Sequence, residues 1–140
     1  MEQRRLKVML DTNVLISAFI FGGTAGRILR TLFASPLEYD LYVSEYVDAE
    51  FHDKLRMKWP DRAEHIYQAY RKTSIIFCQS TKTMLCDLRD PKDIPVLSDA
   101  LYHNVDILLT GDKDFLEANI EHPLIYSPSM MNEYLKKSST

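Results

Sequence analysis

Two of the most apolar stretches of this chain, KVML at residues 7–10 and VDILLT at residues 105–110, are short and nearly continuous. Runs of this length, without the alternation of a half-solvated strand, fit strands buried on both faces, the condition of a mainly parallel sheet covered by helices. Both also stop at carboxylates: the first runs directly into Asp11, and the second reaches Asp112 through Thr110 and Gly111. In open parallel sheets the carboxyl ends of the strands, with the loops and helix starts beyond them, form the rim where ligands bind. A sheet built on these two strands places its acidic residues on that rim.

The remaining segments alternate in the same way. YDLYV and SIIFC read as further strands and LIYS as a last edge strand. Between them, TNVLISAF, TAGRILRTLFAS, EYVDAEFHDKLRMKW, DRAEHIYQAYRKT, IPVLSDALYHN, FLEAN and PSMMNEYLKK carry helical spacing or cap signals. FGGT breaks the first two helices apart, Ser44 caps the third with Val47, Phe51 and Leu55 as its apolar stripe, and Pro60 ends it. Asp93 stands where a cap belongs ahead of Pro95. The expected fold is a three-layer α/β/α domain over residues 1–140, with a central, mainly parallel sheet of four or five strands.

A chain of 140 residues with a hydrophobic fraction of 46% buries a core without disulfides. Cys78 and Cys86 match no zinc pattern. The opening MEQRRLKVML has too short an apolar run for a secretory signal, and no stretch approaches a membrane span, so a cytoplasmic protein with no membrane partner is expected. A net charge of −3 argues weakly against a nonspecific polyanion binder.

If the KVML and VDILLT strands are neighbours, Asp11 and Asp112 lie close together, and like charges at that range repel unless a cation or a proton sits between them. The structural alternatives are a helix cap for Asp11 and a turn residue for Asp112. Asp93 is a third acidic candidate, with Asp90 able to replace it; Asp99 lies roughly 240° around the helix from Asp93. Glu50 is a fourth, on the border of the Val47–Phe51 stripe, and its alternative is a surface pair with Lys54. Carboxylates gathered on one rim make a hard-oxygen site, suited to Mg²⁺ or Mn²⁺. The four histidines fall at no ligand spacing.

LDTNVLISAF, the acidic helix SEYVDAEFHDKL, RDPKD ahead of a helix and DILLTGDKDFL, in that order, resemble the PIN-domain nucleases, and most closely the toxin components of toxin-antitoxin pairs. The likeness runs from Lys7 to about Leu135. It implies metal-ligating and catalytic roles for Asp11, Glu50, Asp93 and Asp112, with Thr12, Asn13, Thr110, Asp90 and Asp114 supporting them. Ile94 and Pro95 depart from the family, whose members usually carry a polar residue and no proline there.

The resemblance further implies a Mg²⁺- or Mn²⁺-dependent endoribonuclease acting on single-stranded RNA, with an antitoxin protein as partner and a homodimer as its assembly. Setting the four carboxylates aside leaves 17 basic against 16 acidic side chains, which removes the charge objection to an RNA substrate. Arg27, Arg30, Lys92 and Lys113 are candidates for phosphate contact. The rival within the family is a non-catalytic PIN-like module that binds RNA or protein. Phosphotransfer domains also end a first strand on aspartate, but the phosphatases among them need a second aspartate where Asn13 stands.

Overall fold

A computed structural model describes residues 4–138, so the first three residues of the opening stretch lie outside it. Five strands, β1 (Leu6–Leu10), β2 (Tyr39–Ser44), β3 (Ile76–Cys78), β4 (Ile107–Leu109) and β5 (Leu124–Tyr126), form one sheet in the order β3-β2-β1-β4-β5. Every pairing is parallel. The two apolar runs are the central strands: Val8, Met9 and Leu10 lie beside Ile107, Leu108 and Leu109, all buried. Their lack of alternation follows, because both faces of a central parallel strand are covered. At the edges the protection lapses, and Ile76 on β3 and Leu124 on β5 are exposed.

Helices flank the sheet: α1 (Thr12–Ile16), α2 (Gly23–Phe33), α3 (Glu45–Lys58), α4 (Ala63–Arg71), α5 (Asp93–Tyr102), α6 (Lys113–Glu117) and α7 (Pro128–Ser138). Helix α2 packs on α7, while α3 packs on α1, α4 and α5. The apolar stripe of α3, Val47, Phe51 and Leu55, is fully buried, and the Ser44 hydroxyl accepts from the Val47 amide as its cap. None of the described helices is by itself long and apolar enough to cross a membrane.

Two local expectations change. TNVLISAF is not one regular helix: after Ile16 the chain passes into a π-helical turn, Ser17–Phe21, which packs against α2. Gly22 and Gly23, with φ of 76° and 56°, then turn the chain by 98° into α2, a left-handed backbone that glycine adopts without steric cost. Asp93 is not the cap of α5 but its first residue. Lys92 precedes it, and the turn is closed by Asp90, whose carboxylate accepts from the Lys92 amide and whose carbonyl accepts from the Asp93 amide. With Asp90 doing the local work, the Asp93 side chain is free to point elsewhere.

Candidate metal centre

The connections from β1 and β4 leave the sheet in opposite directions, β1 leading to β2 on one side and β4 to β5 on the other. A crevice opens beyond the carboxyl ends of two such strands, because their following loops diverge. Here it is a cleft of about 130 Å³, lined by Asp11, Glu50, Asp93 and Asp112. Thr12, Asn13, Asp90, Lys54, Lys92 and Val96 complete the wall. The structure thus gathers on one cleft four carboxylates from separate elements: the end of β1, the second turn of α3, the start of α5 and the turn after β4.

Asp11 is held from both sides. One of its oxygens accepts from the Thr12 amide at 2.8 Å, capping α1, and the other accepts from the Thr110 hydroxyl at 2.7 Å. Thr110 is itself fully buried and accepts from the Asp112 amide at 3.1 Å, so one hydroxyl ties the two strand ends together. Asp112 caps α6 by accepting from the Asp114 amide at 2.9 Å. Asn13 accepts from the Gly111 amide at 3.3 Å, fastening the same turn to α1. The capping alternatives for Asp11 and Asp112 and the convergence on one cleft therefore both hold, since a carboxylate has lone pairs to spare after one capping bond.

Asp90, Asp93 and Asp114 bring carboxylate oxygens within 4.8 Å of one another. Asp114 is ion-paired with Arg89. Burial raises the Asp93 carboxyl to about 7, helped by the charges of Asp112, Asp90, Asp11 and Asp114. Burial also raises Asp11, against the lowering effect of its bonds from Thr110 and Thr12, with Glu50 and Asp112 adding to the rise. Tyr46, one turn before Glu50, is raised by burial and then by Glu50, Asp93, Asp11 and Asp90. In each of these groups the neighbouring carboxylates add to the rise that burial causes, and a cation among them would relieve that part.

Among the described residues, two buried side-chain polar atoms lack a hydrogen-bond partner: the Thr12 hydroxyl oxygen and Asp93 Oδ2. Both belong to residues that line this cleft. Buried polar groups are rarely left unpaired, so two at one place make this cleft the candidate ligand site. The donor set is all oxygen, which fits Mg²⁺ or Mn²⁺ better than a softer ion.

Other acidic residues are occupied elsewhere. Asp99, fully buried, accepts from the Ser80 hydroxyl and the Thr81 amide. Asp48 accepts from the hydroxyls of Tyr67 and Tyr70. Arg27 lies in a separate hollow between α2 and α7, and neither it nor Arg30 lines the cleft. Reading the sequence missed Tyr46 beside the cleft and the place of Lys54 on its wall. Glu50 and Lys54 make no ion pair, and the lysine lines the cleft instead; its position one turn beyond Glu50 on the same helix face was the available signal.

A five-stranded parallel sheet flanked by helices, with an acidic cleft beyond β1 and β4, is the architecture of a PIN domain, and the chain belongs to the PIN domain family, whose model matches residues 7–114. The chain is 32% identical over 144 aligned positions to the uncharacterized protein MJ1680 of Methanocaldococcus jannaschii, covering 97% of this chain and 83% of that protein. In fold it is similar to a chain of VapBC2 from Rickettsia felis, crystallised bound to a DNA fragment from their promoter. That match has a TM-score of 0.68 at 15% identity, over 87% of this chain and 98% of that one. It is also similar to Mycobacterium tuberculosis VapC20, a Sarcin-Ricin loop cleaving toxin, with a TM-score of 0.61 at 18% identity, over 81% of this chain and 95% of that one.

Proposed function

We propose that this chain is a metal-dependent endoribonuclease that hydrolyses phosphodiester bonds of single-stranded RNA and acts as the toxin of a toxin-antitoxin pair. One observation carries the reading: Asp93 Oδ2 and the Thr12 hydroxyl stand buried and unpaired on a cleft that also holds Asp11, Glu50 and Asp112. A scaffold that only binds has no use for a mutually repelling cluster with its hydrogen-bonding capacity left open.

Asp11, Glu50, Asp93 and Asp112 would hold Mg²⁺ or Mn²⁺. When bound, such an ion acidifies a coordinated water and neutralises charge on the phosphoryl oxygens. The chain's own contribution is preorganisation. Thr110 and the Thr12 amide fix both oxygens of Asp11, so its orientation is set before any ligand arrives. Asn13 and the Asp112 cap hold the β4–α6 turn. Asp90 shapes the start of α5 so that Asp93 faces the cleft, and Asp114 adds a carboxylate at its border.

An antitoxin protein is the partner this reading requires. Support comes from the fold shared with a chain of a VapBC assembly and from an exposed Phe21 that meets the Trp59 ring edge-on. Residues 1–140 act as a single domain, and a homodimer in the cytoplasm completes the proposal. The test is cleavage of fluorescently labelled single-stranded RNA in Mn²⁺ or Mg²⁺. Cleavage by the wild type that disappears in Asp11→Asn and on chelation is the expected result. A folded wild type that leaves several RNAs intact and binds no Mn²⁺ moves the function to the binding module.

A further inference from the structure

The acidic cleft also contains two cations. Lys54, half-buried on α3, and Lys92, exposed just before α5, line it together with Asp11, Glu50, Asp90, Asp93 and Asp112. Neither ammonium makes an ion pair with any described carboxylate, although five stand around the same small volume. A lysine beside carboxylates ordinarily pairs with one of them, and its ammonium carries three donors and no acceptor. An unpaired one on such a wall keeps its three donors available to a ligand.

We propose that Lys54 binds a non-bridging phosphate oxygen of the nucleic-acid strand in this cleft, a role that rests on the nuclease reading above. The charge of the wall favours this occupant. Five carboxylates and two lysines give a formal charge of −3. One divalent ion brings it to −1 and two bring it to +1, so a singly charged phosphodiester is attracted only when both lysines count. With the carboxylates alone, even two divalent ions leave a net negative wall that repels the substrate. Phosphate oxygens are strong acceptors for an ammonium, and a strand entering the cleft brings them to a lysine that no carboxylate there holds.

Lys54 is better placed than Lys92 to set position. It stands on the 14-residue helix α3, whose Val47, Phe51 and Leu55 are fully buried, one turn from Glu50. A contact on a rigid element fixes geometry where a loop residue supplies charge alone.

The experiment compares wild type, Lys54→Gln and Lys54→Arg in Mn²⁺ with fluorescent single-stranded RNA, reading anisotropy and cleavage at several salt concentrations, with the Mn²⁺-induced rise in Tm measured in parallel. For Lys54→Gln we expect about tenfold weaker RNA binding and a matching rise in KM. The slope of log affinity against log salt should fall by about 0.7, the loss of one phosphate contact. Its Mn²⁺ response should persist, and Lys54→Arg should recover most of the affinity. Unchanged affinity and salt slope in Lys54→Gln overturn the proposal, as does a loss of the Mn²⁺ response comparable to that of Asp11→Asn, which makes the lysine a partner of the carboxylates instead. RNA bound by neither wild type nor variant overturns it too. If the wild type binds RNA in Mn²⁺ without cutting it, the nuclease reading fails, while the salt slope still decides the role of Lys54.

Discussion

Replacing Asp93 by asparagine should stabilise the metal-free protein by an amount that grows from about pH 4 and is complete above pH 7. The wild-type carboxyl titrates at about 7 in the fold, against an ordinary value of 3.8, because it is buried beside other carboxylates. Below 3.8 the folded and unfolded chains both hold the proton, and burial of the neutral acid costs little. Between about 4 and 7 the unfolded chain gives up its proton while the folded chain keeps it, so wild-type stability declines as pH rises, and the loss is complete above 7. The full shift corresponds to about 4 kcal/mol. Solvent at the mouth of the cleft and neighbouring protons reduce the working figure to about 1–2 kcal/mol. For a chain of this length that is a Tm gain of about 3–7 °C for Asp93→Asn at pH 8, shrinking toward zero at pH 4. Thermal unfolding followed by circular dichroism, with chelator present, measures it. Adding Mn²⁺ should reverse the order, raising the wild-type Tm and leaving the variant nearly unmoved. A variant less stable than wild type at pH 8, or one whose gain is the same at pH 4, refutes the account of Asp93 as an unrelieved buried acid.

Two further substitutions separate the cleft from the frame around it. Thr110→Val removes the hydroxyl that donates to Asp11 and accepts from the Asp112 amide, leaving a buried carboxylate and an amide without their partner. It should cost about 1–3 kcal/mol in urea unfolding and lower Mn²⁺ affinity, and an unchanged midpoint would show that the strand ends are held by other contacts. Tyr70→Phe cuts the 2.8 Å bond to Asp48 under α3, with a cost of about 1–2 kcal/mol in the same assay. Its Mn²⁺-induced Tm shift should match wild type, and a reduced shift would mean that the Asp48 network reaches the cleft.

Much of the architecture was legible in the chain. Short apolar runs such as VML and ILL fit buried strands, and the Val47, Phe51, Leu55 stripe gave both the existence of α3 and its buried face. Where local rules misled, two residues competed for one task. Asp93 read as the cap of α5 because acidic residues before an X-Pro helix start often are, but Asp90 closes that turn and Asp93 becomes the first helical residue. The π-helical turn after Ile16 was not legible, since SAFIF has the spacing of an ordinary helix and differs from one only in its backbone hydrogen bonding.

By itself, then, the sequence determined that strands and helices alternate, that two buried strands end on aspartates, and that the acidic residues suit a hard cation. Those are consequences of period, length and side-chain chemistry, each readable within a dozen residues. Tertiary structure decided which carboxylates share a cleft and which do not. Asp48 is spent on two tyrosines and Asp99 on Ser80 and Thr81, while Asp93 keeps an oxygen buried with nothing to bind. That choice depends on the strand order β2-β1-β4, which opens the crevice between β1 and β4 and brings Asp11 and Thr110, 99 residues apart, into one hydrogen bond. No local pattern encodes a contact of that range, because it exists only once the sheet has closed around it.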